Sequence, residues 1–196
     1  EYKGDDDIVY LLNETKPFTG NNLCKYKNGQ IYNKGNYKDG KLESSSLYQY
    51  NQNGQKELVE HYKDGNLVSS TKYTYHENGQ IESEENYIDG DTPEGTWWYE
   101  NGQKEMEWTV VAIAKDGEEE WKFTTYYENG QIEIEENYKD DKLNGKRTFW
   151  WDYGEIAFEE NYKDGKFDGK WTDYENGQIK SEKYYKDGEC ISGDCD

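Results

Sequence analysis

The chain has 196 residues, with 43 Asp and Glu against 23 Lys and Arg and a net charge of −20. That balance argues against nucleic acid, whose phosphates need clusters of Lys and Arg, and against anionic membrane surfaces for the same reason of sign. The hydrophobic share is 32%, half of it aromatic at 16%, which leaves too little aliphatic material for a thick two-layer core. The 20 Tyr and 7 Trp instead suit cross-strand pairs on a sheet surface, where each pair adds roughly 0.2–1 kcal/mol.

Residues 1–16 open with Gly4-Asp5-Asp6-Asp7 and continue into the apolar run Ile8-Val9-Tyr10-Leu11-Leu12, an acidic start followed by an edge strand. From residue 17 the chain repeats. One turn recurs as Asn28-Gly29, Asn53-Gly54, Asn78-Gly79, Asn101-Gly102, Asn129-Gly130, Tyr153-Gly154 and Asn176-Gly177, at spacings of 25, 25, 23, 28, 24 and 23 residues. A second follows as Asp39-Gly40, Asp64-Gly65, Asp89-Gly90, Asp116-Gly117, Asp140-Asp141, Asp164-Gly165 and Asp187-Gly188. Both dipeptides fit a two-residue type I′ hairpin turn with φ positive twice. Asp tolerates positive φ, so Asp140-Asp141 still turns. Residues between the turns alternate as strands do, and periods of this size mean a repeat array. Seven units therefore fill residues 17–189, and 190–196 form a tail. The segment Met106–Ala114 is the most apolar and reads as a longer strand pair or a protruding contact.

The pattern Y-Y-E-N-G-Q-x-x-x-E-x-N-Y-K-D-G-K-x-x-G-x-W resembles the MORN-repeat variant, the kind found in bacterial proteins labelled YwqK-type antitoxins. Phe167-Asp168-Gly169-Lys170-Trp171 carries its second glycine and aromatic, and Pro93-Glu94-Gly95-Thr96-Trp97 and Leu143-Asn144-Gly145-Lys146 match it too. The resemblance implies an all-β fold, an elongated, twisted antiparallel single-layer sheet of about seven MORN-like β-hairpin repeats, and a non-catalytic role in binding or assembly. Stacked at ~4.8 Å, fourteen strands would span roughly 65 Å, with ~20° of twist between neighbours.

Two-residue turns fix the register, and register decides which side chains share a face. On one face Glu128 would oppose Gln131, Tyr127 Ile132, Thr125 Ile134, Trp151 Ile156, Phe149 Phe158, Arg147 Glu160, Tyr99 Lys104 and Trp97 Met106. Tyr87, Tyr138, Tyr162 and Tyr185 extend it. The other face would pair Tyr75 with Glu82, Tyr126 with Glu133, Trp150 with Ala157, and Trp171 with Glu182. The first is aromatic, and the chain supplies nothing to cover it; such a patch marks an interface. Rigid aromatics dominate interfaces, so Trp97, Tyr99, Tyr127, Tyr138, Phe149, Trp151 and Phe158 are the expected partner-binding residues.

Chemistry is not expected. His61 and His76 lack a paired base, no nucleophile, phosphate-loop or zinc motif is present, and the calcium-loop pattern is missing, so no enzyme, cofactor or metal is anticipated. Cys190 and Cys195 either close a terminal loop or stay free with Cys24. No apolar run reaches membrane-spanning length. The expected role is a protein-binding scaffold, secreted or in the cell envelope with the cytoplasm as the alternative. Its partner is another protein or a second copy forming a homodimer through the aromatic face. The alternatives are an antitoxin or immunity protein for a basic toxin, and a glycan-binding surface.

Overall fold

A computed structural model describes residues 2–3, 8–88, 91–113 and 119–195, and among these there is no helix. The acidic start Gly4–Asp7, the Asp89-Gly90 and Asp116-Gly117 turns and Ala114 lie outside the described residues. The chain divides into two compact units, residues 1–74 with 84–93, and residues 75–83 with 94–196.

In the first unit β1 (Tyr2–Lys3) pairs with β2 (Val9–Tyr10). Buried Val9 anchors this piece, its N–H donating to Gly40 O at 2.9 Å. Then β3 (Gly20–Lys25), β4 (Ile31–Lys38), β5 (Lys41–Tyr50), β6 (Lys56–Lys63) and β7 (Asn66–Tyr75) pair antiparallel in sequence order. Strand β8 (Ile81–Ile88) contributes residues to both units.

The second unit continues the same plan. Strand β9 (Asp91–Trp98) is likewise shared, and the second unit goes on with β10 (Lys104–Ile113), β11 (Glu119–Tyr126), β12 (Ile132–Lys139), β13 (Lys142–Leu143) and β14 (Gly145–Trp150). They continue as β15 (Ile156–Lys163), β16 (Lys166–Phe167), β17 (Gly169–Glu175), β18 (Gln178–Lys186) and β19 (Glu189–Gly193). All described pairings are antiparallel between consecutive segments, with β12 reaching β14 and β15 reaching β17 past the short strands between them. The fold is all-β, an antiparallel sheet of hairpin repeats. A disulfide joins Cys190 to Cys195, and Cys24 is free.

The turns obey two different rules. The Asp turns are type I′: Asp39 and Gly40 have φ of 50° and 77°, Asp164 and Gly165 52° and 80°, and Asp140 with Asp141 49° and 59°. Most Asn-Gly turns are not. Only Asn176 shares the positive φ of its glycine, at 53° beside 69° for Gly177. Elsewhere the glycine alone is left-handed, as in Gly130 at 83°, and the loop has three residues. Its closing bonds run from Gly130 N to Tyr127 O at 2.8 Å and from Tyr127 N to Gln131 O at 2.9 Å.

In these loops Asn serves through its side chain. Asn129 Oδ1 accepts from Gln131 N at 3.0 Å, and Asn129 Nδ2 donates to Asp152 O, in the next repeat's turn, at 2.6 Å. Asn101 reaches Glu128 O at 2.9 Å and Asn78 reaches Glu100 O at 3.0 Å in the same way. One turn is thus tied to the next along the sheet edge.

The extra loop residue corrects the register near each turn. Tyr126 opposes Ile132, Trp150 opposes Ile156 and Trp98 opposes Lys104, so Tyr127–Ile132, Trp151–Ile156 and Tyr99–Lys104 are not pairs. Glu128 likewise stands within the loop and does not oppose Gln131. A β-bulge then restores the two-residue register, giving Thr125↔Ile134, Phe149↔Phe158, Arg147↔Glu160 and Trp97↔Met106 as expected. After the true two-residue turn at Asn176 the bulge is uncompensated, and Trp171 opposes Lys183 rather than Glu182.

On one face of the second unit the register runs Thr96–Glu107–Thr124–Glu135–Thr148–Glu159–Thr172–Glu182. Thr124, Thr148 and Thr172 are buried in this row, where β-branched residues pack well between neighbours. Lysines neutralise its acids: Lys104 pairs with Glu107, Lys122 with Glu135, Lys146 with Glu159 and Lys170 with Glu182. Burial works against the Glu107 charge, but hydrogen bonds from Lys104 and Tyr126 outweigh it and lower the pKa.

The two kinds of Asn turn should respond differently to glycine. Asn129→Gly removes two side-chain hydrogen bonds and is expected to lower stability by about 1–2 kcal/mol. Asn176→Gly keeps a positive φ that glycine adopts freely and should change it by under about 0.5 kcal/mol. Urea midpoints of the two variants check this, and equal losses would contradict the assignment.

Candidate functional site

The opposite face of the second unit carries the expected binding residues. Its central row reads Trp97–Met106–Thr125–Ile134–Phe149–Phe158–Asp173–Ser181. Phe149 stacks on Phe158 at 5.0 Å between ring centroids and meets Trp151 edge-on at 5.7 Å. Trp151 stands 45% exposed at the end of this group.

The other expected residues are brought to different neighbours. Trp97 stacks on Trp108 at 4.2 Å, above Gly95, where a Cβ would come within 2.5 Å of the Trp97 ring. Glycine is required there for close approach. Tyr138 stacks on Trp121 at 4.4 Å. Tyr99 and Tyr127 donate their hydroxyls to Tyr126 O and Trp150 O, both at 2.7 Å, so each side chain crosses to the next repeat. His76 makes the same reach, its Nε2 donating to Trp98 O at 2.7 Å. The seven residues therefore form several small groups. Trp108 and Trp121 belong to these groups and were not singled out in the sequence, although each is an aromatic at an alternate strand position.

Charge is set into the same face. Arg147 lies between Glu136 at 2.6 Å and Glu160 at 3.2 Å, with both glutamates buried. Tyr138 donates to Glu136 at 2.7 Å and Tyr162 to Glu160 at 2.9 Å. Burial opposes the Arg147 charge, while the two carboxylates raise its pKa and prevail. Removing one member of such a buried group leaves the others uncompensated.

Glu133 is the residue that strand alternation misplaces. Expected opposite Tyr126 on the lysine-bearing face, it is the extra residue of the bulge between Thr125↔Ile134 and Tyr126↔Ile132. The bulge brings it to the Phe149 face, where Thr125 Oγ1 donates to its carboxylate at 3.1 Å. There it joins Tyr99, Tyr127, Glu128, Asn129 and Asp152 in lining a cavity of about 390 Å³. Burial raises the Tyr127 pKa first, and the Glu133 and Asp152 charges add to it. Ala157 takes the bulge position one repeat on, because Trp150 opposes Ile156 and Phe149 opposes Phe158. No glutamate is present there.

The first unit offers a polar hollow of about 850 Å³, lined among others by Lys34, Ser44, Ser46, Tyr48, His61 and Lys63. Ser46 Oγ lies 2.8 Å from His61 Nδ1. Among the described residues no cluster of His, Cys, Asp and Glu has the arrangement of a metal site.

The tyrosines of the Arg147 group give a pH signature. Burial first, then the hydrogen bond to its glutamate, pushes Tyr138 and Tyr162 each up to about 12. Unfolded tyrosine titrates near ~10. The folded state therefore holds protons that the unfolded state has released, and stability present below pH ~10 is lost as pH rises toward 12. Melting temperatures over that window should fall, and the double variant Tyr138→Phe/Tyr162→Phe should flatten the decline. An unchanged slope would place the alkaline loss elsewhere.

Among solved structures, the chain is similar to the Photorhabdus luminescens Tc holotoxin pore, with 12% identity over 84% of this chain and 11% of that one, at a TM-score of 0.39. It is similar to the TcdB2-TccC3 complex, with 13% identity over 89% of this chain and 12% of that one, at a TM-score of 0.41. The chain thus spans about a tenth of the length of each. No curated protein matches it. The family described as MORN repeat variant matches residues 71–89, 115–140 and 168–187. In those segments this chain carries MORN repeats of the variant kind.

Proposed function

We propose that the chain is a non-enzymatic repeat scaffold that binds another protein through the Phe149 face of its second unit. One observation carries the reading: Phe149, Phe158 and Trp151 form a contiguous aromatic group with Trp151 45% exposed. No helix or further sheet of the unit is packed over it among the described residues. Rigid aromatics of this kind supply contact area at low entropic cost and dominate protein interfaces. The Cys190–Cys195 disulfide supports a secreted or envelope location, since such bonds persist in oxidising compartments.

A second reading, an antitoxin or immunity protein neutralising a basic toxin, is supported by the net charge of −20 and by Glu128, Glu133 and Asp152 on the same face, which have no ion-pair partner among the described residues. It differs from the first in the salt dependence of binding.

Two measurements test the scaffold. Light scattering after size exclusion should give a monomer mass across a wide range of concentrations. A stable dimer lost on Trp151→Ala would instead assign this face to a second copy. Affinity capture with cross-linking should then yield a partner that Trp97→Ala/Trp151→Ala loses, while the circular dichroism of the variant stays unchanged. Capture indifferent to both tryptophans, or binding only to a glycan array, would overturn the reading.

A further inference from the structure

We infer that the cavity between Tyr99 and Tyr127 is a receptor for an arginine side chain presented by a basic segment of the partner. The inference deepens the scaffold reading and rests on it. The site lies wholly within the second unit and is an open hollow of about 390 Å³ lined by Tyr99, Tyr127, Glu128, Asn129, Glu133 and Asp152.

Hydrogen-bond inventory selects the ligand. The hydroxyl hydrogens of Tyr99 and Tyr127 are already given to Tyr126 O and Trp150 O. One Asn129 amide hydrogen is given to Asp152 O, leaving one donor, and its oxygen accepts from Gln131 N. What remains open to a ligand is chiefly carboxylate oxygen, which only accepts. An anion is excluded by charge, and a sugar would find acceptors with few donors. A ligand that only donates is matched.

Charge points the same way. On the Thr148 face each glutamate of the row from Glu107 to Glu182 has its own lysine. Among the described residues, Glu128, Glu133 and Asp152 have no lysine or arginine within ion-pair distance. Glu128 and Asp152 are exposed and Glu133 is half-buried, so the hollow carries negative charge that an entering cation would offset. The two aromatic rings favour guanidinium over ammonium, because a planar, weakly hydrated fork stacks on tyrosine and still binds carboxylate in a bidentate way. Both tyrosines are held by their backbone bonds before the ligand arrives, so little ordering is left to oppose binding.

The test uses the full chain and a blocked tetra-arginine peptide, titrated calorimetrically at low salt and again near ~0.15 M, where exposed charges are screened beyond ~8 Å. Binding should persist at the higher salt. Glu133→Gln/Asp152→Asn should weaken it at least ~10-fold, whereas Glu57→Gln/Glu189→Gln, an equal charge change at exposed sites, should leave it within ~2-fold. Tyr127→Leu should weaken it several-fold and Tyr127→Phe, which keeps the ring, should not.

Failure to bind, equal losses in both double variants, or indifference to Tyr127→Leu would each overturn the arginine site. If Glu133→Gln/Asp152→Asn leaves partner capture intact while Trp151→Ala abolishes it, the cavity assignment fails and the scaffold stands. If neither affects capture, the scaffold reading itself fails.

Discussion

From the Asn78 turn to the Tyr153 turn, each hairpin of the second unit is held to the next by groups that reach one repeat over, and the sheet there depends on that reach. The backbone ladder supplies part of it. The remainder comes from Tyr99, Tyr127 and His76, which donate to carbonyls in the following repeat, and from Asn78, Asn101 and Asn129, which do so between turns. Large side chains are nowhere fully buried among the described residues, so no central core substitutes for these ties. Stability in such an array is close to a sum of nearest-neighbour terms.

The two faces of the second unit solve the problem of an acidic sheet differently. On the Thr148 face, buried threonines alternate with glutamates and each acid meets a lysine, from its own strand for Glu107 and from a neighbouring strand for Glu135, Glu159 and Glu182. On the Phe149 face the single arginine, Arg147, neutralises part of a buried pair, Glu136 and Glu160, and the acids around Tyr127 meet no such partner among the described residues. The excess negative charge therefore sits beside aromatic surface, a combination suited to recognition more than to packing.

Much of this was legible in the sequence because the turn dipeptides are local signals. Asp39-Gly40 and Asp164-Gly165 announce two positive φ values, and both have them. Asn129-Gly130 carries the same chemistry but resolves differently, since Asn in the right-handed region gains a hydrogen bond to Asp152 O that lies a whole repeat away. That partner is invisible in a window of ten residues. The pairs Phe149↔Phe158 and Thr125↔Ile134 came out correctly because two one-residue shifts cancel, while Trp171 did not because one shift stands alone. The same bulge carried Glu133 to the face that strict alternation denies it. Arg147 opposite Glu160 was readable, but the second glutamate came from a strand paired across a bypassed short segment.

The repeat around Tyr153 loses both inter-repeat ties at once. Trp151 stands where Tyr99 and Tyr127 stand in their repeats, and Tyr153 stands in place of the turn asparagine, 62% exposed. Without a neighbouring carbonyl to bond, Trp151 rests edge-on against Phe149 and stays 45% exposed. The same two residues leave the turn edge of this hairpin without those ties, and its link to the last hairpin rests on strand pairing, on Asn161 Nδ2 donating to Lys170 O and on Tyr174 donating to Glu159. Local opening follows the weakest boundary, so amide exchange in β17 to β19 can uncouple from that in β10 to β14. The exposed tryptophan and the untied turn edge are one feature of the sequence, set by Trp151 and Tyr153 together.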